Sequence, residues 1–254
     1  MFMKCFLSFH WSSPMTAAAI MLAAFAGPVG TASANMIGVN ICNYAQGLMA
    51  TTDLAGAPGV RVDNWNNLTG PSPYLHEARL NAGTVVDNKG IAQSGVSVSM
   101  VWPKAGYAQT MTPAISGGND ANLFSANENQ WGTPAGTFTV RGLKYKTYDV
   151  YVYVYNDTAN PGRGGSITIG TNSYYIATGK VVGNPTSNGK GYVISTDTTK
   201  KLNRHGTLSN TVGNYVKFTG LSGSSFTASY VGLGSVPRID IVGFQVVATT
   251  HGHR

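Results

Sequence analysis

The residues best suited to chemistry in this chain are aromatic rings set beside amides. Tyr151, Tyr153 and Tyr155 alternate with Val150, Val152 and Val154. In a strand, that alternation puts the three rings on one face and the three valines on the other. Trp65 stands between Asn64 and Asn66 in a polar segment. A ring offers a face to the C–H patches of a sugar, and neighbouring amides and phenols offer hydrogen bonds to its hydroxyl rim. Trp65, Asn64, Asn66, Tyr151 and Tyr153 are therefore the expected ligand contacts. The competing expectation is burial: the long segment 43–79 packs over the tyrosine face, and Trp65 anchors that segment. Trp131, beside Asn127, Asn129 and Gln130, carries the same ambiguity.

Acids and histidines are sparse. Asp63 and the amides after it offer hard oxygen donors, and Asp240 lies in the last strand-like run. Together they make Asp63 and Asp240 the candidate ligands of a structural calcium ion, although calcium requires 6–8 oxygens and no EF-hand spacing is present. Zinc is disfavoured, because His76 and His205 are solitary and His251 and His253 sit in the tail. A glycosidase needs two placed carboxylates, and Glu77 and Glu128 are the only glutamates. No nucleophile elbow occurs, and no phosphate-cradling glycine loop precedes a helix. A lyase built on Tyr74, His76 and Arg79 is the best enzymatic alternative. Cys42 has no nearby histidine or electropositive setting and reads as a buried structural thiol.

The elements that must position these residues are strands. Period-two patterns run through 36–42, 96–102, 137–140, 148–155, 166–169, 173–176, 214–218, 225–230 and 239–247. Residues 82–87 read as a strand turning at Asn88-Lys89-Gly90 into 96–102. Gly170-Thr171-Asn172 marks a hairpin. Residues 43–79 and 103–134 read as loops, the second with a short helix near 119–126. Gly191–Ser195 reads as a further strand. The run Gly136 to Leu143 is echoed by Gly213 to Leu221, each read as half of a hairpin. No linker interrupts residues 35–254, which read as one antiparallel β-sandwich.

A strand ending in Gly142-Leu143 and followed by Tyr148-Asp149-Val150-Tyr151-Val152-Tyr153 resembles the centre of galactose-binding-like, jelly-roll β-sandwich domains. The run Arg238 to Val247 is similar to their closing strand, which in that class pairs back near the first. The opening strand with Asn64-Trp65-Asn66-Asn67-Leu68 looks like the start of secreted bacterial modules of this class. The resemblance implies a jelly-roll fold whose members include carbohydrate-binding modules, adhesion domains and appendages of hydrolases. It implies a polysaccharide or surface glycan as partner, bound without catalysis. A structural or adhesive exoprotein, and a lyase or hydrolase on the same scaffold, are the other classes. Fold alone does not choose among them.

The N-terminus reads as an export signal. Lys4 is the one fixed charge of its start, residues 16–26 are apolar, and Ala32 and Ala34 are small residues at the positions a signal peptidase reads. The apolar stretch is too short for a membrane span. Cleavage after Ala34 is expected, leaving residues 35–254 outside the inner membrane. The whole chain carries +7 with only 11% charged residues. Its basic residues are dispersed, the densest group being Lys200, Lys201, Arg204 and His205. No aromatic-interleaved basic run of a nucleic-acid module is present.

Overall fold

The computed structural model describes residues 34–43, 47–70, 77–80, 83–102, 108–110, 119–155, 162–178 and 191–249. The expected export signal, Tyr74, His76, His251 and His253 lie outside them. The described residues form two mostly antiparallel sheets packed as a β-sandwich, with one short helix.

The first sheet contains β1 (Met36–Asn43), β2 (Asn66–Gly70), β5 (Ala108–Thr110), β6 (Ala126–Trp131), β8 (Thr147–Val154), β11 (Tyr215–Ser222) and β13 (Arg238–Ala248). Its order is β11-β8-β13-β1-β2, and β6 extends it by pairing with β13 and β5. The second sheet contains β3 (Glu77–Leu80), β4 (Ser97–Val101), β7 (Gly136–Arg141), β9 (Gly164–Ile169), β10 (Asn172–Ala177) and β12 (Ser225–Gly232). Its order is β10-β9-β12-β7-β4-β3. The helix α1 is Asn119–Leu123. The closing strand β13 pairs antiparallel with the opening strand, Met36 opposite Val247, while β1 and β2 run parallel.

Apolar periodicity decides which face goes inside. Val150, Val152 and Val154 point into the inter-sheet core with Met100, Trp102 and Tyr230. Phe138 of one sheet stacks on Phe244 of the other, with ring centroids 4.3 Å apart and planes 11° apart.

Several expectations change. The two echoed runs are not hairpins. β7 belongs to the second sheet and β8 to the first, while β11 belongs to the first and β12 to the second. Each Gly-Leu therefore turns a corner between sheets, and the strands pair off as β7 with β12 and β8 with β11. Of the expected strand 82–87, the described residues 83–87 do not pair with β4. Asp87 instead closes a tight turn by accepting the Lys89 and Ile91 amides at 2.9 and 3.0 Å, and β3 and β7 flank β4. The segments read as loops contain β2, β3, β5 and β6. Gly191–Ser195 forms no strand of its own and meets the first sheet through an isolated bridge from Ile194 to Tyr215 and through the Tyr192 ring, which packs on Tyr153 and Tyr215.

Candidate functional site

The tyrosine face of β8 is covered. Met49, Ala55, Ala57, Val60, Val62 and Phe124 pack over Tyr151, Tyr153 and Tyr155 as a second apolar cluster outside the first sheet. Trp65 is 4% exposed. Its indole lies on β1 so closely that a Cβ at Gly38 would meet the ring at 2.9 Å, and its Nε1 donates to Val62 O at 2.9 Å. Tyr153 is fully buried, meets the Trp65 ring edge-on at 6.3 Å, and accepts the Ala57 amide at 3.0 Å. Tyr151 stacks on Tyr215 and lies 5.1 Å below the Lys217 ammonium. Neither Trp65 nor Tyr153 presents an open face on which a sugar could stack.

The amides beside Trp65 are committed to the same clamp. Asn66 donates to Gly38 O and Val86 O at 2.8 and 2.9 Å and accepts the Val86 amide at 2.8 Å. Its side chain thus acts as a short length of strand backbone between β1 and Val86. Asn64 takes a left-handed conformation with φ 53°, which asparagine tolerates better than most residues, and reaches Asn88 O at 3.4 Å.

The lock on the covering segment is polar and buried. Asp120, at the start of α1, is fully buried, pairs with Arg61 at 2.8 Å and accepts the Gly56 amide at 3.1 Å and the Tyr192 hydroxyl at 2.7 Å. Burial first, then the neighbouring Tyr153 and Asp120, push the Tyr192 hydroxyl well above the usual tyrosine range. Tyr192 therefore keeps its hydroxyl proton and donates it to Asp120.

The two acids expected to share calcium are not brought together. Asp63 lies beside Asn64, whose side chain reaches Asn88, and Asn88 Oδ1 accepts the Met36 amide at the start of β1. Met36 pairs with Val247, and Asp240 lies seven residues back along β13, roughly 23 Å away. Asp240 is fully buried and accepts Arg238 Nε at 2.9 Å, so a guanidinium supplies the positive charge an ion would bring. This pair does not fit a calcium ion. Among the described residues, no three His, Cys, Asp or Glu side chains gather as metal ligands. Burial raises the Cys42 thiol pKa, against a hydrogen bond with Thr69 at 3.3 Å.

An open concavity lies at one end of the sandwich. It encloses about 520 Å³ between the turn from β9 to β10 and the turn from β11 to β12. Gly170 and Gly223, with φ 59° and 96°, make those turns. Leu221 is its partly exposed apolar lining, and beneath it lie Tyr148 and Phe226, 0% and 8% exposed, with rings 5.8 Å apart. Asn172, Thr171, Ser222, Ser225 and Thr227 form its rim, and none of the lining side chains is charged. An apolar patch with a few polar groups at the edge is the usual build of a small-ligand site. The sequence marks the first turn, through Gly170-Thr171-Asn172. It does not show that the second turn comes to stand beside it.

At the other end, Trp131 is 38% exposed. Its ring lies 5.4 Å from the Arg238 guanidinium, which Asp240 holds in place.

No protein-family model matches the chain, and no curated protein matches it. Among solved structures, the chain is similar to a calcium-binding mutant of Bacteroides uniformis beta-glucuronidase 2, at 10% identity and a TM-score of 0.34, over 78% of this chain and 22% of that one. A likeness this distant carries no information on activity or ligand.

Proposed function

We propose that the chain is an exported, non-catalytic binding module of galactose-binding-like, jelly-roll type, and that it holds a neutral glycan in the groove between the β9–β10 and β11–β12 turns. The observation that carries this reading is the groove's chemistry. The partly exposed Leu221, above the buried Tyr148 and Phe226, gives an apolar patch, Asn172 and four hydroxyl side chains give a polar rim, and no charge intervenes. A sugar ring has the same two-part character, with C–H faces and a hydroxyl edge. The pairing of β13 with β1 supports the jelly-roll assignment.

The described aspartates support a binding role over a hydrolytic one. Asp87, Asp120, Asp149 and Asp197 accept backbone amides from turns, loops or a neighbouring strand, and Asp240 accepts the Arg238 guanidinium along its own strand. None of them lines the groove.

The test is a glycan array followed by titration calorimetry with the retained oligosaccharide, with and without calcium, on the protein and on Asn172→Ala. Retention that falls at least tenfold in Asn172→Ala supports the groove. Retention of no glycan, or retention indifferent to Asn172, overturns it. N-terminal sequencing of the exported protein should begin at Asn35, and a retained leader would remove the export half of the reading.

A further inference from the structure

Four neighbouring strands of the second sheet carry hydroxyl side chains at alternate positions: Ser97 and Ser99, Thr137 and Thr139, Thr227 and Ser229, Ser166 and Thr168. On β4, β7 and β12 the residues between them are buried, so these hydroxyls face away from the core. Register aligns them across the sheet. Thr137, Ser229, Thr168 and Ser173 are successive cross-strand partners over β7, β12, β9 and β10. Ser99, Thr139 and Thr227 form a second row over β4, β7 and β12. Sheet geometry spaces neighbours in a row by about 4.8 Å and the rows by about 6.8 Å.

The hydroxyls are partly ordered before any ligand arrives. Thr139 and Thr227 are 2.9 Å apart, oxygen to oxygen, and Thr168 and Ser173 are 2.7 Å apart. A hydroxyl donates one hydrogen bond and accepts two. Each such pair spends one donor internally and keeps one donor and several acceptors for a partner. Among the described side chains, charge enters this face only at Arg79 on the β3 edge and Arg141 at the groove end.

Those features choose the occupant. Protein interfaces rely on aromatic, methionine and arginine anchors and are depleted in serine. Tyr175 on the β10 edge shares this face opposite Ser166, and Val101 of β4 stands exposed in line with Thr137, but apart from Arg141 the strands between the edges turn no aromatic, methionine or arginine outward. A polyanion would need basic residues within the rows. The remaining complement is an uncharged polymer that presents its own array of hydroxyls. Ser225 and Thr227 line the groove, and Thr227 also belongs to the second row.

We infer that the outer face of the second sheet continues the groove as a docking surface for an extended neutral polysaccharide. This rests on the groove reading, since the same polymer must enter the groove and run on across the hydroxyl rows. Short oligosaccharides fill the groove alone. An insoluble polymer engages both parts.

The experiment compares adsorption to microcrystalline cellulose, chitin and starch granules with calorimetric binding of the matching soluble hexasaccharides. The variants are the double substitution Thr139→Val with Thr168→Val, Ser99→Lys, and Asn172→Ala. Valine keeps the branched shape and strand preference and removes the hydroxyl, so the melting temperature should move by only a few degrees. The inference expects at least tenfold weaker adsorption in the double variant and in Ser99→Lys, with hexasaccharide affinity within twofold of the parent. Asn172→Ala should lose both. Adsorption unchanged in the face variants overturns the inference and leaves the groove standing. Hexasaccharide binding without adsorption of the parent to any polymer overturns it in the same way. Loss of both kinds of binding in the parent overturns the groove reading with it.

Discussion

The Tyr153 hydroxyl donates to the side-chain carbonyl of Gln245, across the pairing of β8 with β13, and accepts the Ala57 amide from the covering segment. Gln245 in turn donates to Val60 O at 2.7 Å. Gly56 approaches so near that a Cβ there would lie 2.6 Å from Gln245 Oε1, at a φ of +115° that favours glycine. One phenol and one amide thus pin the middle of the loop onto the sheet, while Asn40 of β1 and Asn67 of β2 hold its start at Gly47 and Met49.

That arrangement makes Trp65 and Tyr153 stability residues. Trp65→Ala should cost about 3–5 kcal/mol, the usual range for removing a large aromatic from a core. Tyr153→Phe should cost about 1–3 kcal/mol, because it leaves the Ala57 amide and the Gln245 carbonyl short of a buried partner. Denaturant midpoints measure both. If Trp65→Ala instead abolishes glycan retention while stability holds, Trp65 is a ligand contact and the clamp is secondary.

The sequence makes this division half visible. The valine–tyrosine alternation of β8 assigns the two faces correctly, because strand periodicity is a local property. Which polymer surface the tyrosines meet is not local. It depends on Asp120, Tyr192 and Gln245 converging on Gly56 and Val60 from distant parts of the chain. β6 is hidden for another reason: Ala126–Trp131 is mostly polar and has no apolar alternation, so its pairing with β13 and β5 is what makes it a strand. The groove is hidden because two turns far apart in sequence form it. The hydroxyl rows were written in the sequence as alternating serine and threonine, but their alignment needs the register of all the strands.

Arg61 should prove essential to the loop. It neutralises a fully buried Asp120 at 2.8 Å, and its other nitrogen reaches Leu54 O at 2.6 Å. Removing one partner of a buried ion pair strands the other charge, which typically costs about 3 kcal/mol or more. Arg61→Met should therefore lower the unfolding midpoint sharply, and Arg61→Lys should recover part of the loss. Hydrogen exchange at Gly56 and Ala57 would accelerate in Arg61→Met if the loop is released. Unchanged exchange there would mean that the tyrosines hold it without the ion pair.

Acid should weaken the turn that ends before β11. Lys201 at 2.5 Å, the Thr211 amide at 2.6 Å and the Asn210 amide at 3.1 Å all stabilise the charged form of Asp197. The Lys201 contact acts most strongly, and together they hold the carboxyl well below the usual aspartate range. The folded value lies below the unfolded one of about 3.9. The stabilisation is therefore complete above about pH 4 and is lost as pH falls from there towards the folded value. Asp197→Asn should lower the melting temperature at pH 7, and the gap from the parent should close as pH drops from 4 to 2. A constant gap across that range would show that Asp197 contributes nothing through its charge.

Trp131 offers a readout that separates the two ends of the sandwich. It is half-exposed, whereas Trp65 and Trp102 are buried. Acrylamide quenching of tryptophan emission in the leader-free protein should therefore report mainly on Trp131, and Trp131→Phe should remove most of it. Trp131 sits beside Pro237, which packs on Gly232 at the end of β12, whereas Ser225 at the start of β12 lines the groove. Seven residues of strand separate those ends, roughly 24 Å. A short oligosaccharide in the groove should leave the quenching of Trp131 unchanged. Protection of Trp131 by that oligosaccharide, with binding lost in Trp131→Ala but not in Asn172→Ala, would move the glycan site to the Trp131 end. There Arg238 and Asp240 would be its rigid support.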